Sequence, residues 1–177
     1  MENIAVFLDR DGTIIKDPGY LKRFEDIRFL PNVKKSLKIF KQLGYKIIVI
    51  TNQSGIARGY FSKEFVQKTH EIINKRCGNL IDAFYVCPHL PEDNCTCRKP
   101  KTGLIDQAIA DFNIKRESSF VIGDKESDIE LGLNAGIEPI LVLSGEGKKY
   151  KSNTKASYVF KNLYEVALWI YQKASTV

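Results

Sequence analysis

Residues 4–13 read IAVFLDRDGT, a run of five apolar residues followed by two acidic residues and a glycine. An apolar run of this length is typical of a strand buried on both faces of a parallel sheet. Side chains alternate along a strand, so Asp9 and Asp11 can point in the same direction. Gly12 then allows the chain to turn. Two neighbouring carboxylates repel each other, so their place at the end of a buried strand indicates a bound cation, a proton or a catalytic role.

The composition restricts the class of protein. With 177 residues, of which 44% are hydrophobic, the chain suits a single domain over residues 1–177. No apolar run approaches the ~20 residues of a membrane helix, and the first strand leaves no room for a signal peptide. We therefore expect a cytoplasmic protein with no membrane partner. The net charge of +6 can favour anionic substrates or nucleic acid, but the lysines are spread along the chain, as on an ordinary solvated surface.

The remainder of the chain alternates apolar strands with amphipathic helices. Predicted strands cover residues 4–8, 46–50, 81–86, 119–122, 139–143 and 156–160. Predicted helices cover residues 32–43, 62–76, 102–112, 129–135 and 162–174. This alternation predicts a three-layer α/β fold, in which helices cover both faces of a parallel sheet. Ligands bind beyond the carboxyl ends of the strands in such sheets, so the residues that follow strands are the candidates for a site.

Polar segments follow several of these strands. Thr51-Asn52-Gln53-Ser54-Gly55 offers hydroxyl, amide and backbone donors that can hold a phosphoryl oxygen, although a helix-capping turn would use the same residue types. Residues 123–128, Gly-Asp-Lys-Glu-Ser-Asp, form a further acidic cluster. Residues 14–30 are longer than a usual connection and contain aromatic residues. We expect them to form a loop or short hairpin flap over the site; an ordinary surface connection is the alternative.

Cys87, His89, Cys95 and Cys97 have the spacing Cys-x-His-x5-Cys-x-Cys. Three thiolates and one imidazole meet the tetrahedral preference of zinc and leave no position for water, so we expect a closed structural site. Two coincidental pairs in a loop are the alternative, and Cys77 is interpreted as a free thiol. A zinc-bound loop over residues 87–97 would fix the direction of the two basic residues that follow it.

The order of these features resembles the four-motif pattern of the haloacid-dehalogenase superfamily. An acid pair, a strand-end Thr51, a loop Lys99 and a strand-end Gly-Asp occur in that order along the chain. The resemblance implies a Rossmann-like sheet and a phosphatase. Few residues separate Asp9 from Thr51, and the zinc loop is the insert before Lys99, so the resemblance points to a capless enzyme with an open site.

More closely, the chain resembles the D-glycero-D-manno-heptose 1,7-bisphosphate 7-phosphatases. The matching segments are residues 7–14, Gly19-Tyr20, residues 51–59, the zinc set with Arg98-Lys99-Pro100, and Gly123-Asp124-Lys125. The histidinol-phosphate phosphatases share the zinc loop and are the alternative. The flap segment Asp17-Pro18-Gly19-Tyr20 and residues 55–59 favour the heptose enzymes, because these segments should contact the leaving group.

The resemblance implies a role for each motif residue. Asp9 is the nucleophile, Asp11 is the general acid and base, and Thr51, Arg98 and Lys99 complete the catalytic set. The implied Mg²⁺ ligands are Asp9, the backbone carbonyl of Asp11, and Asp124. The implied substrate-binding residues are Asp17, Pro18, Gly19, Tyr20, Asn52, Gln53, Ser54, Arg98 and Lys125. Asp128 either orients Lys99 or caps a helix, and the helical His70 is assigned no chemistry.

The implied reaction is release of a phosphate from a small phosphorylated sugar, in nucleotide-activated heptose biosynthesis. A nucleic-acid 3′-phosphatase would share the first motif, but scattered lysines without a stacking platform argue against nucleic acid as a partner. A non-catalytic zinc-stabilised binding module is a further alternative, and the filled motif positions argue against it. A capless site with few exposed aromatic residues indicates a monomer.

Overall fold

The first strand of the sequence lies at the centre of the sheet in the computed structural model, which describes residues 2–175. The strands found in that range are β1 (Ile4–Leu8), β2 (Tyr45–Asn52), β3 (Ala83–Cys87), β4 (Phe120–Gly123), β5 (Glu138–Val142) and β6 (Tyr158–Phe160). They pair in the order β3-β2-β1-β4-β5-β6, and every neighbouring pair is parallel. The outermost residues of the predicted 1–177 domain, Met1, Thr176 and Val177, lie outside the described residues.

Helices cover both faces of this sheet, as the sequence predicts. Within residues 2–175 they are α1 (Val33–Gln42), α2 (Lys63–Arg76), α3 (Gly103–Phe112), α4 (Glu126–Ala135), the short α5 (Gly147–Tyr150) and α6 (Leu163–Ser175). Val6 and Leu8 of β1 pack into the core shared with α1 and α6, whereas Ala5 and Phe7 pack into the core shared with α3 and α4. The predicted three-layer α/β fold, with helices on both faces of a parallel sheet, is confirmed.

Several element boundaries differ from the sequence prediction. β2 continues through Thr51 and Asn52, which pair with Val86 and Cys87 of β3, so these two residues lie in a strand rather than in the following loop. α4 begins at Glu126 rather than at residue 129, because the Asp128 carboxylate accepts a hydrogen bond from the Lys125 backbone N–H (3.1 Å) and caps the first turn. The short helix α5 has no counterpart in the prediction.

The segment over residues 14–30 has the base of a hairpin. Ile15 and Phe29 form an antiparallel bridge, and the Leu30 N–H donates to the Ile14 carbonyl (3.0 Å). A single 3₁₀ turn, Phe24–Asp26, interrupts the rest of the segment. This supports the prediction of a hairpin flap. Among residues 2–175, no helix has the length and apolar character needed to cross a membrane.

Candidate active site

The predicted catalytic residues meet at the carboxyl ends of β1 and β2. Asp9, Asp11, Thr51, Arg98 and Lys99 all line one cavity of about 350 Å³. Asp17, Gly19, Tyr20, Asn52, Gln53, Ser54 and Lys125 of the predicted substrate-binding set also line it. Pro18 of that set is exposed and does not line the cavity.

Lys99 forms the centre of a buried charge network. Its Nζ donates to Asp9 Oδ1 (2.6 Å), to Asp128 Oδ1 (2.7 Å) and to the Ile50 carbonyl (2.9 Å). The three charged side chains are 7% exposed or less. Burial alone would lower the pKa of Lys99, but Asp128 and Asp9 outweigh it and hold the pKa above its ordinary value. Lys99 is therefore a fixed positive charge beside the predicted nucleophile.

The two roles considered for Asp128 are compatible. Its Oδ1 accepts from Lys99, while its Oδ2 accepts from the backbone N–H of Lys125 at the start of α4. A Cβ on Gly123 would collide with this carboxylate, so the glycine leaves room for it. Asp128 thus connects the start of α4 to the lysine.

Asp124 differs from Asp128 because one of its oxygens remains unused. Its Oδ2 accepts from the Glu146 backbone N–H (2.7 Å), but the buried Oδ1 has no hydrogen-bond partner among the described residues. A Cβ on either Gly12 or Gly145 would collide with Oδ2, so the two glycines leave room for the carboxylate between them.

The sequence prediction missed residues 144–147, which contact Asp124 through the Glu146 backbone. Their two glycines after β5 were the available signal.

The charges on this side of the cavity are unbalanced. Asp9, Asp124 and Asp128 offer oxygens that all lie within 4.8 Å of one another, and Lys99 is the cation placed among them. Burial raises the pKa of Asp9, and Lys99 offsets only part of that shift. Burial and then Asp9 raise the pKa of Asp124 to about 8. An added cation would relieve both effects, and carboxylate oxygens are the ligands that Mg²⁺ prefers, so the donor set fits that ion.

Asp11 is held from two directions. The Arg10 guanidinium grips both of its oxygens, with the shortest contact from Nη2 to Oδ2 (2.7 Å). Gln53 Nε2 donates to the same Oδ2 (2.9 Å) and to Thr51 Oγ1 (2.9 Å). Gln53 therefore links Asp11 to the hydroxyl of Thr51.

Asn52 holds the lysine segment in place. Its Oδ1 accepts from the Lys99 backbone N–H (3.1 Å), and its Nδ2 donates to the Lys99 carbonyl (3.4 Å). Arg98 Nη1 donates to the carbonyl of His89 in the preceding loop (3.1 Å). Sequence reasoning assigned Asn52 to the substrate, whereas its amide is directed at the backbone of Lys99.

The flap is attached on both sides of the cavity. On one side, Lys125 Nζ contacts Asp17 Oδ2 (3.1 Å) and Glu146 Oε1 (3.8 Å). On the other side, the Tyr20 ring packs edge-on against Tyr60, with centroids 4.7 Å apart. The flap thus forms the outer wall of the cavity.

The predicted zinc ligands form one cluster before Arg98. Cys97 Sγ lies 3.1 Å from Cys87 Sγ, 3.5 Å from Cys95 Sγ and 3.2 Å from His89 Nδ1. Tetrahedral zinc with Zn–S bonds of about 2.3 Å places sulfur atoms about 3.8 Å apart. The four atoms therefore surround a space that a small outward adjustment fits to the ion.

Named relatives cover almost the whole chain. A chain from Helicobacter pylori named D-glycero-beta-D-manno-heptose-1,7-bisphosphate 7-phosphatase is 47% identical over 95% of this chain and 97% of its own length. The chain belongs to the D-glycero-D-manno-heptose-1,7-bisphosphate 7-phosphatase family. A Photorhabdus laumondii relative, named for the alpha anomer, is 38% identical over 92% of this chain and 94% of its own.

Structural comparison gives the same family. The D,D-heptose 1,7-bisphosphate phosphatase from B. bronchiseptica, solved with magnesium and phosphate, covers 98% of this chain and 99% of its own, with a TM-score of 0.89 and 28% identity. A family model described as HAD-hydrolase-like matches residues 96–166. The prediction of a phosphoric monoester hydrolase of the haloacid-dehalogenase superfamily is confirmed, and the histidinol-phosphate alternative is not favoured.

Proposed function

We propose that this protein is a Mg²⁺-dependent phosphatase that removes the 7-phosphate of D-glycero-β-D-manno-heptose 1,7-bisphosphate. The observation that carries the proposal is the convergence of Asp9, Asp11, Thr51 and Lys99 on one cavity, beside the unpartnered oxygen of Asp124. The β anomer is proposed because the Helicobacter relatives, at 47% and 50% identity, are named for it. The pathway would be nucleotide-activated heptose biosynthesis.

The first step is transfer of the phosphoryl group to Asp9. A carboxylate oxygen of Asp9 forms a bond to phosphorus while the bond between phosphorus and the sugar oxygen breaks. Asp11 gives its proton to the leaving oxygen, so the sugar departs as an alcohol. Lys99 and Thr51 stabilise the charge on the phosphoryl oxygens during this transfer.

The second step hydrolyses the aspartyl-phosphate. Asp11, now a carboxylate, takes a proton from water as the water oxygen bonds to phosphorus. The bond between phosphorus and Asp9 breaks, which restores the Asp9 carboxylate and releases inorganic phosphate. Asp11 regains its proton, and both carboxyl groups return to their starting states.

Asp9, the Asp11 backbone carbonyl and Asp124 are the proposed Mg²⁺ ligands. When bound, the ion supplies positive charge that offsets the repulsion between an anionic nucleophile and an anionic phosphate. The unpaired Asp124 Oδ1 supports this assignment, because a buried oxygen without a donor is costly unless a cation occupies the space before it.

The rest of the cavity would bind the sugar and its second phosphate. Arg98 and Lys125 supply the cationic groups, and Ser54 supplies a hydroxyl. Asp17 and Tyr20 of the flap would contact the sugar from the outer side. Asn52 acts through the Lys99 segment in this proposal, since its amide already bonds that backbone.

A structural zinc ion held by Cys87, His89, Cys95 and Cys97 is part of the proposal. It would fix the loop that leads into Arg98 and Lys99. Elemental analysis of the purified protein should find about one zinc per chain. Chelation should lower activity as the loop loosens. A protein without zinc whose thiols all react freely would contradict this assignment.

The test of the function is a substrate panel with Mg²⁺. Phosphate release should be compared as kcat/KM for both anomers of the heptose bisphosphate, for histidinol phosphate and for a 3′-phosphorylated oligonucleotide. We expect the β anomer to be preferred. Asp9→Asn should leave the fold intact and abolish turnover. A preference for histidinol phosphate would overturn the proposed substrate. Near-normal turnover by Asp9→Asn would overturn the covalent mechanism. Cytoplasmic location and a monomeric state stay predictions.

A further inference from the structure

His70 lies outside the cavity, yet it contacts the residue that grips Asp11. It belongs to α2, is 6% exposed, and its ring stacks on Phe84 with centroids 4.4 Å apart and planes 12° from parallel. Arg10 Nη1 lies 3.2 Å from His70 Nε2. The stacking fixes the plane of the imidazole, so Nε2 is held in one direction, towards Arg10.

Only one assignment of donor and acceptor is possible for the contact between Arg10 and His70. A guanidinium only donates hydrogen bonds, so His70 Nε2 must be the acceptor and the ring proton must lie on Nδ1. Burial, and then the charge of Arg10, lower the pKa of His70 to about 3. The imidazole is therefore neutral and offers Arg10 an acceptor at every pH at which the enzyme would work.

Arg10 carries this orientation to the site. The Arg10 side chain is 3% exposed. Its Nε and Nη2 both donate to the Asp11 carboxylate, at distances of 2.7–3.1 Å. The remaining terminal nitrogen, Nη1, donates to His70 Nε2. Because the guanidinium is planar and rigid, fixing Nη1 also fixes the pair of N–H groups directed at Asp11.

Strand geometry explains why the contact forms. Side chains alternate along the extension of β1, so Arg10 points to the face opposite from Asp9. α2 also packs on that face, beside α1 and α6, because its Ile73 lies in the same core as Val6 and Leu8. Arg10, which lies between Asp9 and Asp11 in the sequence, thus contacts α2 through His70.

We propose that His70 is a positioning residue that sets the orientation of the Asp11 carboxylate through Arg10. The inference rests on the proposed function, in which Asp11 delivers a proton to the leaving oxygen. Without an acceptor at His70 Nε2, the guanidinium can rotate, and its two-point grip on Asp11 loosens. Proton delivery then suffers, whereas binding of the phosphate by Lys99 and Thr51 does not.

The test compares substrates that differ in their need for that proton. A sugar phosphate leaves as a basic alkoxide unless it is protonated, whereas p-nitrophenyl phosphate releases a stable phenolate. kcat/KM reports only the steps up to formation of the aspartyl-phosphate. It therefore measures Asp11 as the general acid and excludes its later role as the general base. His70→Phe keeps the ring and removes the acceptor. We expect its kcat/KM to fall at least tenfold for the heptose bisphosphate and less than twofold for the aryl phosphate.

Two further variants keep the test decisive if His70→Phe does not fold. His70→Gln places an amide oxygen near the position of Nε2 and should retain most of the activity on the sugar. His70→Asn is too short to reach Arg10 and should behave like the phenylalanine variant. Equal losses on both substrates, or no loss on either, would overturn the inference. Failure of the proposed function would instead appear in the unaltered protein, as a preference for histidinol phosphate or as no phosphate release from the heptose bisphosphate.

Discussion

Two carboxylates that follow β4 have opposite environments: Asp124 comes directly after the strand, and Asp128 lies in the first turn of α4. Asp128 uses both oxygens, one on Lys99 and one on the start of α4. Asp124 uses one oxygen on the Glu146 backbone and keeps the other buried and unpartnered within the described residues. We refer to Asp9, Lys99 and Asp128 as the lysine side of the site, and to Asp124, Gly12, Gly145 and Glu146 as the open side.

The difference shows how one site combines a cation of the chain, Lys99, with a place for a cation that binds from solution. On the lysine side, a cation of the chain itself pairs with both buried carboxylates and neutralises part of their charge. The open side has an excess of negative charge, and burial raises the pKa of Asp124 to about 8. It is thus suited to an ion that enters after folding. The first predictions below alter one side and leave the other in place, and the last alters the flap, which belongs to neither side.

Removing the lysine should have the largest effect. Lys99→Met leaves Asp9 and Asp128 buried without their shared cation, and breaking such an ion pair costs about 3–5 kcal/mol of the free energy of unfolding. Loss of the charge beside the phosphoryl group should lower kcat by about 10³-fold. Thermal unfolding and steady-state kinetics measure the two effects.

A double variant separates stability from catalysis on the lysine side. Lys99→Met combined with Asp128→Asn removes one of the two uncompensated charges. We expect it to regain part of the lost stability and none of the activity. Recovery of activity would mean that the lysine acts only as a counter-ion for Asp128.

The corresponding change on the open side should affect ion binding more than folding. Asp124→Asn should keep the fold and lower kcat/KM by at least about 100-fold, because a proposed ligand is lost. In metal-free protein, Asp124 binds a proton in the folded state at pH values where the unfolded chain has released it. The free energy of unfolding should therefore fall as pH rises from about 4 to about 8.

Denaturant titrations at several pH values in the presence of a chelator measure this dependence. The decline across that window should be smaller in Asp124→Asn by at least about 1.4 kcal/mol, the equivalent of one pKa unit. Identical pH dependence in the two proteins would show that Asp124 does not hold the proton, and would weaken the contrast between the two sides.

A smaller change tests the pocket that holds Asp124. Gly145 has a φ of +56°, and a Cβ there would collide with Asp124 Oδ2. Gly145→Ala should weaken Mg²⁺ binding by about 10-fold or more by displacing the carboxylate. Competition with a fluorescent or paramagnetic divalent ion measures the affinity without turnover.

Gly136→Ala is the matched control for backbone strain. Gly136 has a φ of +67°, and a Cβ there would have no heavy atom within 4 Å. Both variants should lose about 1 kcal/mol or more of stability from the left-handed conformation. Gly145→Ala alone should lose ion affinity. Equal ion affinities in the two variants would argue against a positioning role for the glycine.

The flap should give the smallest effect. Asp17→Asn keeps an oxygen for the Gly19 N–H (2.8 Å) and removes the charge that faces Lys125. Partly exposed ion pairs contribute about 0–1 kcal/mol, so stability should barely change, and KM should change about two- to threefold. A large fall in kcat would instead place Asp17 among the groups that act on the reacting phosphate.

The limits of sequence reasoning are visible in particular residues. The strand before Asp9 and the acid cluster after β4 were predictable, because apolar runs and turn residues act over short distances. The start of α4 was placed three residues late, since its first turn depends on a cap from Asp128 rather than on apolar periodicity. Thr51 was placed in a loop because its strand partner in β3 is distant along the chain.

The sequence by itself determined the order of strands and helices, the position of each motif at a strand end, and the chemical types gathered there. These follow from local periodicity and residue chemistry. The tertiary structure decided which polar atoms meet. Arg10 contacts a histidine 60 residues away, and Asp124 contacts a backbone amide 22 residues away. Such contacts depend on how helices and loops pack across the completed sheet, which no local pattern encodes.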